Sequence, residues 1–412
     1  MLRTARPRLV PLLAGVLTLV VGGCSSPAPS ASTEPSPSAS SPASRPTTPL
    51  AQPAPRRGVY AADGAGALSA QARRARPLVY VPDSLSNDVK VIDPRTYRVI
   101  DTFPVGREPQ HVVPSWDLKT LWVNDDLGND LVPIDPRTGR PGRRVPVEDP
   151  YNLYFTPDGK HALVMAERLR RIDVRDPRTM ALQRSLRVPC AGVNHADFSA
   201  DGRWLLASCE FSGLLLVIPT TLDRVAGVIN LNGIRTPGMM DPAMARAMGG
   251  PAGSLRPGAS AMPQDVRITD DGRSFMVADM LRGGVWIVDA ATRKVATFVR
   301  TGAGAHGIYP SRDAKRVFVS NRDGASVSVL DATGRRVIGR WRLPAGASPD
   351  MGGVTADGRE LWLSGRYDGV VYVIDTTNGR LLHTIKVGAG PHGLLVWPQP
   401  GRYSLGHTGN MR

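Results

Sequence analysis

The chain has 412 residues, and its 51 lysines and arginines exceed its 36 acidic residues by enough to give a formal charge of +15. Such a surplus favours anionic neighbours, such as lipid headgroups or anionic envelope polymers. Arginine outnumbers lysine 45 to 6 and is scattered through turns, with no basic helix or aromatic-interleaved basic stripe, so nucleic acid is excluded as the expected partner.

Residues 1–23 read as a lipoprotein signal peptide. Arg3, Arg6 and Arg8 make a positive start, residues 9–21 are apolar, and Val21-Gly22-Gly23-Cys24 has the form of a lipoprotein cleavage box. The apolar run is shorter than the roughly 20 residues that span a bilayer. Cys24 is therefore expected to become the lipidated first residue of an extracytoplasmic protein anchored to the cell membrane. Residues 24–57 are rich in Ser, Pro, Ala and Thr; with so little to bury, they read as a disordered tether. Residues 58–76 are an ambiguous lead-in, in which ALSAQARRAR forms a short helix against the next domain or continues the tether.

Residues 77–412 are organised by repetition. The segment 305–331, AHGIYPSRDAKRVFVSNRDGASVSVLD, reads as three short strands separated by turns. Its ending recurs as DVKVID (88–93), DLVPID (130–135), RRIDVRD (170–176), GVWIVD (284–289) and VVYVID (370–375), with a degraded copy LLLVIPTTLD at 214–223. A second register marks the start of each copy: PQH at His111, PYN at Asn152, VNH at His195, PQD at Asp265, AHG at His306, PDM at Met351 and PHG at His392. Seven starts and seven endings, mostly 41 to 44 residues apart, predict an all-β propeller of seven four-stranded blades. The first copy lacks a first strand and the last has little else, so N- and C-terminal segments are expected to share one blade and close the ring.

The stretches VYVPDSLSNDVKVID (79–93), LWVNDDLGNDLVPID (121–135) and VFVSNRDGASVSVLD (317–331) resemble the YVTN-type repeat of YncE-like and surface-layer propellers. The resemblance implies the fold and says little of activity, because such propellers serve as binding proteins, surface proteins and domains of redox enzymes.

The Asp-Pro-Arg-Thr and Asp-Gly pairs between strands are turn formers, and their aspartates read as structural. One junction differs. Residues 230–262 insert about thirty residues carrying Met239, Met240, Met244, Met248 and Met262, expected to lie over the channel mouth as a lid. Cys190 and Cys209 fall at the mouth end of one blade, with Cys209 expected opposite Asn194 or His195. A disulfide is the expected state outside the cytoplasm, and a thiolate ligand beside His195 the alternative.

The strand starts converge on the central channel. They bring His111, Asn152, His195, Gln264, Asp265, His306, Asp350, Met351 and His392 to one rim, with Gln110 and Asn194 adjacent. Imidazole with thioether suits copper, and imidazole with carboxylate suits several transition metals, so His111, His195, His306 and His392 are candidate ligands. The copper-holding propeller of nitrous oxide reductase is similar in fold, but this chain has fewer hub histidines and no electron-transfer copper domain. No Cys-x-x-Cys-His occurs, so covalent haem c is not expected. Serine-hydrolase, phosphate-loop and zincin motifs are also missing. The leading expectation is a monomeric binding module of the cell envelope rather than an enzyme. The alternatives are a metal-binding or redox-accessory protein, or a propeller enzyme using Asp265 for acid–base work. The tail 401–412 either joins the closing blade or crosses the ring and delivers His407.

Overall fold

The computed structural model describes residues 58–235 and 258–412. The signal peptide, Cys24, the tether, and the part of the insertion with Met239, Met240, Met244 and Met248 lie outside the described residues.

Seven antiparallel sheets follow one another. Blade 1 joins Leu395–Trp397 to Leu78–Asp83, Asp88–Asp93 and Arg98–Pro104. Blade 2 starts at Pro109–Pro114, blade 3 at Asn152–Phe155, blade 4 at Val193–Phe198, blade 5 at Pro263–Ile268, blade 6 at Ala305–Pro310 and blade 7 at Pro349–Val354. Three strands of each blade lie between neighbouring sheets and read as apolar runs, because both faces are covered. The fourth meets water: in blade 6, Ser326–Asp331 is buried almost throughout, whereas Val337–Arg342 alternates between partly buried and exposed. In blade 2 the fourth strand is broken into Arg140–Pro141 and Val145–Pro146, since proline has no N–H for the ladder.

The first hairpin of most blades repeats one device. In blade 4 the Asp201 carboxylate accepts from Ser199 Oγ at 2.6 Å and Arg203 N at 3.1 Å, while Gly202 takes φ +68°, a left-handed geometry that glycine adopts without strain. Thr156 with Asp158, Thr269 with Asp271 and Thr355 with Asp357 do the same.

Ring closure joins the two ends of the propeller sequence. Leu78 pairs with Trp397 and Tyr80 with Leu395. Gly393 N donates to Gln110 O and Val112 N to Gly393 O, stitching blade 1 to blade 2. Tyr80, Trp397, Leu121, Val123 and Val132 fill the space between these blades, each large side chain contributing about 1.5–3 kcal/mol by burial.

A bulge sets the geometry of the centre. In blade 4 the register jumps from Val193↔Cys209 to Ala196↔Ala207; in blade 5 from Pro263↔Asp279 to Val266↔Val277. Blades 6 and 7 slip at the same place. Two inner residues therefore oppose one, and both are re-aimed. This corrects the expected register: Cys209 faces Val193, not Asn194 or His195. Cys190 and Cys209 are disulfide-bonded and are not thiolate ligands.

The lead-in and the tail cover the face opposite the strand starts. Val59 N donates to Asp270 O and Gly66 N to Ala356 O. Residues 72–74 form a single 3-10 turn with Ala72 buried against the ring, so residues 58–76 pack on the propeller rather than continuing a tether. The tail runs along blade 3's inner strand: Phe155 N donates to Leu405 O, and His407 N to Leu153 O. It crosses the ring, and Leu78–Asp83 keeps the second place in blade 1.

Candidate binding site at the hub

The bulge stacks the inner residues in tiers, which sequence alignment had compressed into one rim. The tier nearer the mouth contains Gln110, Tyr151, Asn194, Gln264, His306, Asp350 and His392; the next contains His111, Asn152, His195, Asp265 and Met351. All nine predicted rim residues are buried around the hub. Met351 is held in the blade 7 bulge, its N–H donating to Ser364 Oγ.

His111 occupies the centre. Its ring centroid lies 4.9 Å from His392, 5.3 Å from His407, 5.6 Å from His195 and 5.4 Å from Tyr151. It is fully buried, and neither ring nitrogen has a hydrogen-bond partner. A Cβ at Gly393 would stand 2.0 Å from His111 Nδ1, so glycine at 393 makes the room for this imidazole.

The other imidazoles are oriented by neighbours. His392 Nδ1 lies 2.7 Å from Asp350 Oδ2 and its Nε2 3.4 Å from the Tyr151 hydroxyl. A carboxylate only accepts, so the neutral His392 carries its proton at Nδ1. Asn194 Oδ1 accepts from His195 N and Ser208 Oγ and lies 3.1 Å from His195 Nδ1, while Asn194 Nδ2 donates to Glu210 at 2.6 Å. His195 is thereby protonated at Nδ1, and its Nε2 lone pair faces the hub without a partner. His306 Nδ1 lies 3.2 Å from Asp350 Oδ1, and His407 Nε2 3.3 Å from Asp265 Oδ1. Asn152 Nδ2 reaches both the Tyr154 hydroxyl and His407 Nδ1.

Burial keeps the cluster neutral. It pushes His195 down to about 3, and His111, His306 and His392 well below the usual imidazole value, with the neighbouring cations adding to the effect. Asp350 is pushed up by burial, but Arg322, then His306 and Arg366, hold it net below the carboxylate range. Arg322 binds Asp350 through Nε at 2.9 Å and Nη2 at 2.6 Å.

Outside these tiers stands a ring that the sequence reading missed. It comprises the first residue after each second strand: Ser84, Asp126, Glu167, Glu210, Met280, Arg322 and Arg366. Aligning the copies on their second strands would have exposed it. The ring is polarised, with Asp126, Glu167 and Glu210 on blades 2 to 4 and Arg322 and Arg366 on blades 6 and 7. Burial raises Glu167 well above the carboxylate value, raises Glu210, and pushes Asp126 up to about 8.

His111, His195, His306 and His392 share the hub, but the bulge divides them between two tiers, and His195 and His392 commit Nδ1 to Asn194 and Asp350. Among the described residues no group of three or more His, Cys, Asp or Glu side chains is arranged to hold a metal ion.

The YNCE-like β-propeller family matches residues 58–192 and 236–401. The unmatched stretch between them is blade 4, whose third strand carries the degraded repeat ending. None of the curated proteins matches the chain. A solved chain of Kuenenia stuttgartiensis hydrazine synthase is 18% identical with a TM-score of 0.57, covering 74% of this chain and 93% of that one. Dihydro-heme d1 dehydrogenase NirN, solved in complex with DHE, is 17% identical with a TM-score of 0.56, covering 84% and 83%. A functionally unknown protein from Desulfotomaculum acetoxidans DSM 771 is 14% identical with a TM-score of 0.58, covering 77% and 99%. At these identities the likeness is one of fold alone.

Proposed function

This chain belongs to the YNCE-like β-propeller family, and we propose that it is a binding module whose ligand, a small polar molecule, enters the hub at the end where the inner strands begin. One observation carries the reading. His111 is wholly buried with both nitrogens unpartnered, whereas buried polar groups in folded proteins are overwhelmingly hydrogen-bonded. A fold keeps such a group at a cost of about 1–3 kcal/mol, and a concave, polar-lined channel mouth is where that cost has a use.

The test separates binding from architecture. His111→Leu removes two unsatisfied nitrogens at similar volume, so it is expected to leave the unfolding temperature unchanged or raise it, while abolishing ligand-induced stabilisation. Gly393→Ala keeps the imidazole but displaces it, and should weaken binding with it. A large loss of stability in His111→Leu, in the absence of any ligand, would show that the residue is architectural and would sink the reading.

We further propose that the module is lipid-anchored outside the cytoplasm through Cys24, on the strength of the cleavage box and the Ser/Pro-rich segment after it. Membrane fractionation should find the parent with membranes and Cys24→Ala in the soluble fraction; identical partitioning of the two would refute the anchor.

A further inference from the structure

Resting on that hub-binding reading, we infer the ligand class: a small zwitterion carrying a protonated amine and a carboxylate, such as an α-amino acid, with its amine toward Glu167 and Glu210 and its carboxylate on Arg366.

The inference starts from groups on opposite arcs of the mouth that make no close ion pair among the described residues: Arg366 on one, Glu167 and Glu210 on the other. Arg366 is partly buried, and its Nη1 donates to Ser84 Oγ and Gly390 O, both at 3.1 Å. Among the described residues it makes no ion pair, whereas its neighbour Arg322 is neutralised by Asp350. Across the ring, the buried Glu167 Oε2 has no hydrogen-bond partner, and the Glu210 carboxylate accepts from the Asn194 amide at 2.6 Å. The Tyr151 hydroxyl feels both arcs, Glu167 and Glu210 raising its proton affinity and Arg366 and Arg322 lowering it, beneath the larger effect of burial.

The deeper tier points to the same chemistry. His195 Nε2 is a lone pair without a donor, and His111 is fully buried with both nitrogens unmet. An ammonium group brings three donors in a compact head. The rings of Tyr151, His111 and His392 stand 4.9 to 6.5 Å apart, the separations of packed aromatic pairs. A carboxylate alone would satisfy Arg366 and leave the acidic arc as it stands; an amine alone would do the reverse. A zwitterion answers both arcs without adding net charge to a buried site, where an unpaired charge is costly, and each contact it makes is charge-assisted.

Protons supply an independent readout. Burial, with the acidic side chains of Glu210, Asp126, Asp149 and Glu108 acting in the same direction, shifts Glu167 toward its protonated form. An arriving ammonium favours the ionised form, so binding should release protons to the buffer.

The experiment is calorimetry on the full chain with a panel of L-α-amino acids, each paired with its N-acetyl acid and its amide. The expected result is that a free amino acid binds, both blocked analogues bind at least about ten-fold more weakly, and the heat varies with the ionisation enthalpy of the buffer. Arg366→Met and the pair Glu167→Gln with Glu210→Gln should each weaken binding roughly ten- to a hundred-fold. Arg366→Lys should recover part of it, and unfolding curves should confirm that every variant folds. A blocked analogue that binds as tightly as the free amino acid, and still depends on His111, overturns the zwitterion and leaves the hub reading standing. No binding by any free amino acid also overturns it; the hub reading is then judged by the ligand-free stability of His111→Leu.

Discussion

The two ends of the hub use the same kinds of side chain and treat them differently. At the floor, Asp197 accepts four hydrogen bonds, from Arg412 Nη2, Asn410 Nδ2, Phe198 N and Ile268 N. The Tyr154 hydroxyl accepts from Ala196 N, and that of Tyr309 from Gly352 N, each tying one blade to the next. Above the floor, both nitrogens of His111, His195 Nε2, both polar atoms of Gln264 and Glu167 Oε2 have no such partners, while at the floor Arg412 Nε and Thr408 Oγ1 are unmet. A buried polar network that is closed specifies a structure; one left open costs stability. The difference is one of degree: the floor is the more fully bonded part of the channel, and the tiers above it carry more of the unmet groups.

Removing the tail should break this contrast most severely. Deletion of residues 402–412 exposes the inner strand of blade 3 and removes Leu405 and Met411, which are only 0% and 2% exposed. Each costs about 1.5–3 kcal/mol, and Asp197 loses its cation, so denaturant unfolding should show a loss of more than about 5 kcal/mol. Asp197→Ala should cost somewhat less, about 3–5 kcal/mol, because it strands Arg412 in a buried site. A value below about 1 kcal/mol would mean that the floor is not the part that holds the ring together.

The pH dependence of stability sharpens the comparison from the other side. The hub histidines His111, His195, His306, His392 and His407 all sit below their unfolded value, chiefly through burial. Below about pH 6.5 the unfolded chain takes up protons that the folded hub refuses, so stability is full above that pH and falls as acid is added, by about 1.4 kcal/mol per pH unit for each such histidine. His111→Leu should make that slope shallower. The smallest effect lies on the alkaline side. Glu167, Glu210 and Asp126 are raised in the folded state, so the stability tied to their retained protons is complete below about pH 4.5 and is lost as pH rises through the folded values, about 8 for Asp126. Changing Glu167 and Glu210 to Gln should flatten this decline, by about 1–2 kcal/mol, in melts recorded from pH 5 to 8.

Much of this molecule was legible in its sequence because a propeller repeats. Periodic Val-x-Val-Ile-Asp endings and the His-bearing strand starts specify blade count, ring closure and the set of side chains that reach the centre, since each is a local pattern multiplied by seven. The bulge after the strand starts of blades 2 and 4 to 7 was not legible. It depends on how the first strand meets the second, and it split an apparent single rim into two tiers and moved Cys209 opposite Val193. Nor could spacing place His407, and the ring from Asp126 to Arg366 was legible only on an alignment of the second strands. The tail finds its position only when blade 3 offers a free inner edge, and the mouth charges face one another only after seven separate hairpins close into a circle. Local chemistry along the chain determined which residues would meet at the hub; only tertiary packing decided which of them would satisfy one another there and which would be left to bind.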